Sequence, residues 1–195
     1  MSLTNLLETV RGSYIRQFLA FRESLISENV GEVLTEAALL NSAGVPAGEG
    51  PHNLPIRKDA CILQNGKITK AYLFDAKSFV KFDLVSFTLP SGMRGHITPF
   101  DWSYASISVS PATLKTFDQV AAWYRRWYEA RDTGEGAEKV LNGAVHFISD
   151  PEFEGDTMKF DVDLGSSSID SIDELIQLFE EQGCSTFKLG GLNLS

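Results

Sequence analysis

Three histidines, two cysteines and one dense run of acids are the residues of this 195-residue chain whose types could do chemistry. His96 sits in the loop Ser91-Gly92-Met93-Arg94-Gly95-His96-Ile97-Thr98-Pro99-Phe100-Asp101-Trp102. An imidazole titrates near neutral pH, so His96 is a candidate general base, with Asp101 to orient it and Arg94 to hold an anion. No nucleophile stands beside it. The simpler reading is a structured crossover, in which the glycines turn the chain while Phe100 and Trp102 anchor it. His146, between Val145 and Phe147, is the other candidate, in an expected strand with its side chain turned away from the helix-covered face. Covered by the N-terminal half, it is a satisfied buried histidine; facing a cavity, it contacts a ligand beside Ser106, Ser108 and Asp161. His52 lies in an irregular stretch and reads as a solvent-exposed loop residue.

The acids cluster in Asp150-Pro151-Glu152-Phe153-Glu154-Gly155-Asp156, with Asp161 beyond. Their spacing superficially follows a calcium loop, but the flanks read as strands where an EF-hand needs helices. The stretch is expected to be an acidic hairpin turn rather than a metal site. Cys61 and Cys184 are far apart and form no C-x-x-C pair, so they read as two reduced, buried thiols. Phosphate-binding, nucleotide-binding, hydrolase and zinc-protease motifs are all missing. The sequence therefore points to no cofactor, no metal and no catalytic site beyond the weak candidates His96, Asp101 and His146.

The elements that must position these residues are clearest from Ser103 to Gly190, where one unit is written twice. Tyr104 to Val109 alternates in the period of a half-buried strand. Thr116-Phe117-Asp118-Gln119 has the form of a capping box, and Phe117, Val120, Ala121, Tyr124, Trp127 and Tyr128 then recur at helical spacing. Val145 to Ile148 reads as the next strand. The second copy runs through Met158 to Leu164, a box at Ser171-Ile172-Asp173-Glu174, a stripe of Ile172, Leu175, Ile176 and Phe179, a stop at Gly183, and a strand at Thr186 to Leu189. Strand, helix, strand, strand, helix, strand is the order of the ferredoxin-like split βαβ fold. Its expected core is Ala105, Ile107, Val109, Val145, Phe147, Met158, Phe160, Val162, Phe187 and Leu189.

Before this unit, Leu3, Leu6, Leu7, Val10, Tyr14, Phe18, Phe21 and Leu25 predict a long amphipathic helix. A shorter helix is expected near Glu32 to Leu40. Asn41 to Asp59 is rich in Gly and Pro and reads as an irregular connection. Ala60 to Gln64 and Lys67 to Phe74 flank Asn65-Gly66, a strong hairpin signal. Phe79 to Leu89 completes a three-stranded antiparallel meander, with a phase change between Leu84 and Val85. The whole is expected to be an α+β chain, with residues 1–102 packed on the ferredoxin-like residues 103–195 as one composite domain.

Charge divides unevenly between these parts. Residues 1–102 hold ten acids and ten bases, whereas residues 103–195 hold sixteen acids against seven bases and so carry the whole net charge of -9. An acidic surface repels phosphate backbones, and the RNA-binding aromatic strand motif is missing, so no nucleic-acid partner is expected. No apolar run is long enough to cross a membrane, and no signal peptide is legible, so the chain is expected to be cytoplasmic, as a monomer or homodimer. The preferred expectation is a non-enzymatic module, of the immunity or antitoxin type, that docks on a basic protein through Glu152, Glu154, Asp156, Asp161, Asp163 and Trp123. The alternative is a small-molecule-binding protein or enzyme, with a pocket between sheet and helices. A deep pocket with His96 or His146 beside a carboxylate is what would favour the alternative.

Overall fold

The computed structural model describes residues 2–28, 31–40, 42–43, 46, 51–131 and 134–191. Most of the Gly- and Pro-rich connection from 41 to 50 lies outside them. Their elements run α1 (Leu3–Glu28), β1 (Glu32–Ala38), β2 (Arg57–Gln64), β3 (Lys67–Tyr72), β4 (Val85–Thr88), β5 (Arg94–Ile97), β6 (Ala105–Ser110), α2 (Leu114–Tyr128), β7 (Phe147–Ile148), β8 (Glu152–Glu154), β9 (Thr157–Asp163), α3 (Asp170–Glu181) and β10 (Thr186–Gly190). Among the described residues no helix is long and apolar enough to cross a membrane.

The strands form two sheets. The larger runs β4-β5-β10-β6-β9-β7, with β8 also paired to β9. Its β10-β6-β9-β7 part is antiparallel throughout and has the split βαβ order that the doubled unit predicts. Alternation does its expected work here: Ala105, Ile107, Val109, Met158, Phe160, Val162, Phe187 and Leu189 are all buried, together with the inner stripes of α2 and α3. The opposite face carries Ser106, Ser108, Asp161, Lys159 and Lys188, and the two lysines are exposed. The N-terminal half does not cover that face at these lysines.

Several local expectations are corrected by long-range pairing. Glu32 to Leu40 is not a helix; Glu32–Ala38 is a strand paired antiparallel to β2. Val33, Leu34, Ala37 and Ala38 suit a helix face by spacing, but β2 pairs with the strand on both sides of Glu36, from Glu32 to Thr35 and at Ala37 and Ala38. The small sheet is consequently β1-β2-β3, turned at Asn65 and Gly66 with φ of 51° and 72°. Phe79 to Leu89 is not its third strand, because only Val85–Thr88 is extended and it pairs with β5 in the large sheet. The phase change at Leu84 and Val85 marks that strand's start. The loop after it contains β5, parallel to β10, so the doubled unit is widened by a hairpin. Gly95 makes this possible, since a Cβ there would lie 2.0 Å from the Phe87 ring that covers it.

The caps also fall elsewhere. α2 begins after Thr113, whose backbone N–H donates to Thr116 Oγ1 at 3.0 Å, so Thr116 closes the box instead of opening it. Ser171 is inside α3 and donates to the Ser168 carbonyl. Gly183, in the left-handed region at φ 77°, ends α3 as expected. At β7 the phase is opposite to the expected one: Ile148, opposite Val162, is in the core, while Phe147, opposite Asp163, is only half-buried.

α1 joins the two sheets. Its buried Leu6, Leu7, Val10, Tyr14, Ile15 and Phe18 belong to the common core. Burial of each large apolar side chain contributes about 1.5–3 kcal/mol. Tyr14, Phe18 and Phe21 all pack on Phe74, just past β3. Arg11 reaches the other half, where it donates to the carbonyls of Ser167 at 2.7 Å and Ser166 at 3.1 Å. Cys61 and Cys184 are separate buried thiols.

Candidate functional site

Where the small sheet meets the end of β9, three carboxylates converge on His146. Glu36 and Asp59 sit opposite one another on β1 and β2, in the gap between the paired residues Thr35–Ala60 and Ala37–Lys58. Glu36 has φ 54°, a left-handed conformation uncommon for a residue with a side chain. Its carboxylate Oε1 lies 2.7 Å from His146 Nε2, and Asp59 Oδ1 lies 2.8 Å from Nδ1. Asp163 Oδ2 is 3.7 Å from the same Nδ1. Between two carboxylates the ring is an imidazolium with both N–H groups donating.

The backbone around this cluster is built to hold it. His146 N–H donates to the Asp163 carbonyl at 2.9 Å, and Arg57 N–H donates to the His146 carbonyl at 3.1 Å. Gly165 passes directly beside the imidazole: a Cβ there would lie 2.4 Å from His146 Cδ2, and its φ of 53° also favours glycine. Glu36 accepts further N–H groups from Ser166, at 3.3 Å, and from Asn142. Asp59 Oδ2 accepts from Phe74 N–H at 2.6 Å, and Asp163 Oδ1 from Gly165 N–H at 2.9 Å. The Arg57 guanidinium lies over the Tyr128 ring at 4.5 Å and donates to the carbonyls of Glu36 and Tyr128.

Burial and charge act against each other in this cluster. Burial opposes the charge on His146, but Asp163, Asp59 and Glu36 outweigh it and hold the imidazole well above its ordinary range. Burial would raise Glu36, yet its bond to His146, the imidazolium charge and its contacts with Ser166 and Asn142 hold it low. Asp163 is raised by burial, which His146 and the Gly165 amide only partly offset. Tyr14, whose hydroxyl has no hydrogen-bond partner among the described residues, is raised by burial and then by Asp163, Asp59 and Glu36.

One side of the cluster opens to solvent. A cleft of about 590 Å³ is lined by Ile56, Arg57, Lys58, Asp59, Leu73, Phe74, Asp75, Ser103, Tyr104, Phe147 and Asp163. The Asp163 side chain retains 21% of its exposure, against 4% for Asp59 and none for Glu36. The cleft thus has an acidic floor under partly apolar walls, with His146 behind it.

The structure scatters the other sequence candidates. His96 Nδ1 lies 3.0 Å from Ser86 Oγ across β4 and β5, whereas Asp101 accepts from the backbone N–H and hydroxyl of Ser103. Asp101 therefore does not orient His96. Trp123, expected as a partner contact, is fully buried and donates to the Ser171 carbonyl at 2.9 Å, so it offers no contact surface. Asp163 belongs to the His146 cluster rather than to an acidic surface. Glu152, Glu154 and Asp156 are exposed, with Glu154 2.9 Å from Lys159, and Asp161 accepts from the Tyr104 hydroxyl at 3.0 Å. His52, exposed as expected, lies 3.3 Å from Asp150. Sequence reasoning missed Glu36 and Asp59. Neither belongs to a recognisable motif, and only the β1–β2 register puts them side by side. Compared with known proteins, the chain matches no family model and no curated protein sequence.

Proposed function

We propose that this chain is a small-molecule-binding protein whose cleft takes a ligand with a positively charged centre. The observation that carries this is the imbalance at the cleft floor, where three carboxylates surround one imidazole and the most accessible of them, Asp163, shares that single cation with the other two at a distance of 3.7 Å. A unit positive charge about 4 Å from such a group gains about 4 kcal/mol at an effective dielectric near 20. Leu73, Phe74, Ile56 and Phe147 give the cleft walls for an apolar body. The left-handed Glu36 supports the same reading, because strained backbone concentrates at functional sites. Both ring nitrogens of His146 are engaged, which leaves no free base there; binding, rather than catalysis, is the activity assigned. The test is thermal unfolding with a panel of organic ammonium and guanidinium compounds and metal salts. A compound that stabilises the wild type but not Asp163→Asn supports the reading, and a panel without such a compound overturns it.

A second reading keeps the acidic docking module. Glu152, Phe153 and Glu154 on β8 are all exposed beside an acidic hollow of about 480 Å³ that includes Asp150, Asp161 and Tyr104. A basic protein is the partner this surface suits.

A further inference from the structure

We propose that the positive centre bound at the cleft floor is a first-row divalent metal ion, held by His146 Nδ1, Asp59 and Asp163, with Glu36 fixing the imidazole from behind. The inference rests on the cleft reading above and names the cation. Its first support is spacing. His146, Asp59 and Asp163 each offer a ligand atom, and these atoms lie within 4.8 Å of one another. The separations from Nδ1 are 2.8 Å to Asp59 and 3.7 Å to Asp163. A tetrahedral ion with ligands at about 2.0–2.2 Å needs them roughly 3.3–3.6 Å apart, so small side-chain shifts suffice.

The second support is the orientation of the ring. A metal-bound histidine usually donates its other N–H to a carboxylate, which fixes its tautomer and makes it a better ligand. Glu36 occupies that position at 2.7 Å from Nε2, itself anchored by Asn142 and Ser166. Gly165 lets the backbone pack directly on the ring, where a Cβ would meet Cδ2 at 2.4 Å. In the metal-free protein the Nδ1 proton fills the place the ion would take, and it leaves as the ion enters.

A third, independent sign comes from α1. The buried Tyr14 hydroxyl has no partner among the described residues, and its ring packs on Phe18, whose own ring faces His146. A buried polar group of this kind calls for a water or ion close by. Asp163, the most exposed of the three ligands, lines the cleft, from which water or an organic ligand would complete the coordination. One imidazole with two carboxylates suits Zn²⁺ or Mn²⁺ better than Ca²⁺, which prefers an all-oxygen shell, and neither cysteine is part of the set.

The test is titration calorimetry of chelator-treated full-length protein with ZnCl₂ or MnCl₂ alone. One ion per chain is expected, with affinity falling at least tenfold in Asp163→Asn and about 10–100-fold in Glu36→Gln. His52→Ala, which breaks the exposed His52–Asp150 pair, should leave that affinity unchanged. Folding of each variant is checked by circular dichroism. A further readout uses the wild type only: bound Co²⁺ should show d–d absorption without a thiolate band. No binding of either ion at millimolar concentration, unchanged affinity in Asp163→Asn, or loss only in His52→Ala overturns the inference. If the ions fail while an organic cation stabilises the protein through Asp163, the cleft reading stands and the metal assignment falls.

Discussion

Glu36→Gln removes one negative charge from a fully buried site and leaves the volume almost unchanged. The Glu36 carboxylate accepts from His146 Nε2–H, Asn142 N–H and Ser166 N–H. The amide has one carbonyl oxygen for these three donors, and its NH₂ group must face one of them as a fourth donor. The backbone strain at φ 54° persists, because glutamine also carries a Cβ. Breaking a buried ion pair by removal of one partner costs about 3–5 kcal/mol. In a chain of this size each kcal/mol lowers Tm by about 2–4 °C, so a drop of roughly 6–20 °C is expected for the metal-free protein near neutral pH. Thermal unfolding followed by circular dichroism measures the Tm drop, and urea unfolding measures the free-energy loss. His146→Gln should cost a similar amount, and the double variant should cost at least about 1 kcal/mol less than the sum of the two, since both remove the same pair. A loss below about 1 kcal/mol in Glu36→Gln, or simple additivity, would show that the cluster is not energetically coupled and refute this reasoning.

Other consequences follow from the same contacts. Gly165→Ala places a methyl group 2.4 Å from both the Ala144 carbonyl and the imidazole, at a φ that penalises side chains, so urea unfolding should show a loss of about 2–4 kcal/mol. Stability of the metal-free protein should depend on pH from both sides. Glu36 is lowered on folding, so its contribution is present above its unfolded value of about 4.3 and lost as pH falls through the folded value. His146 is raised, so its contribution is complete below about 6.5 and lost as pH rises through its folded value, in a site that Tyr14, Arg57, Tyr128 and the three carboxylates also face. Urea midpoints across pH should therefore fall at both ends, and the acid-side loss should shrink in Glu36→Gln. Reversal of Glu152, Glu154 and Asp156 to lysine should change stability by no more than about 0.5 kcal/mol, as these groups are exposed. On the docking reading that triple variant loses affinity for a basic partner, and unchanged affinity removes the hairpin from the interface.

Local pattern was enough where each element's partners follow it closely in sequence. The doubled unit is legible for that reason: alternation in Ala105 to Val109 and Met158 to Val162, with the helix stripes between, specifies the β10-β6-β9-β7 order. It failed where a segment's partner lies far away, as when β2 converts Glu32–Ala38 from a plausible helix into a strand. The site depends on that same pairing. His146 was visible as a candidate because histidine is chemically versatile, but its orientation required Glu36, 110 residues distant, and Asp59, 87 residues distant. Neither acid carries a motif. Alternation puts Asp163 opposite the helix-covered face, where it reads as surface charge, and nothing in the sequence shows that its carboxylate lies within 4.8 Å of ligand atoms of His146 and Asp59. His96 and Asp101, five positions apart, looked like a pair and instead serve different turns.

The most direct measurement of the cleft's chemistry is anomalous diffraction from crystals of the chelator-treated protein soaked in zinc chloride. One dominant peak between His146 Nδ1, Asp59 and Asp163, absent in Asp163→Asn crystals, is the expected result. A map with no peak at that point, or with density only beside the exposed His52 and Asp150, would contradict it.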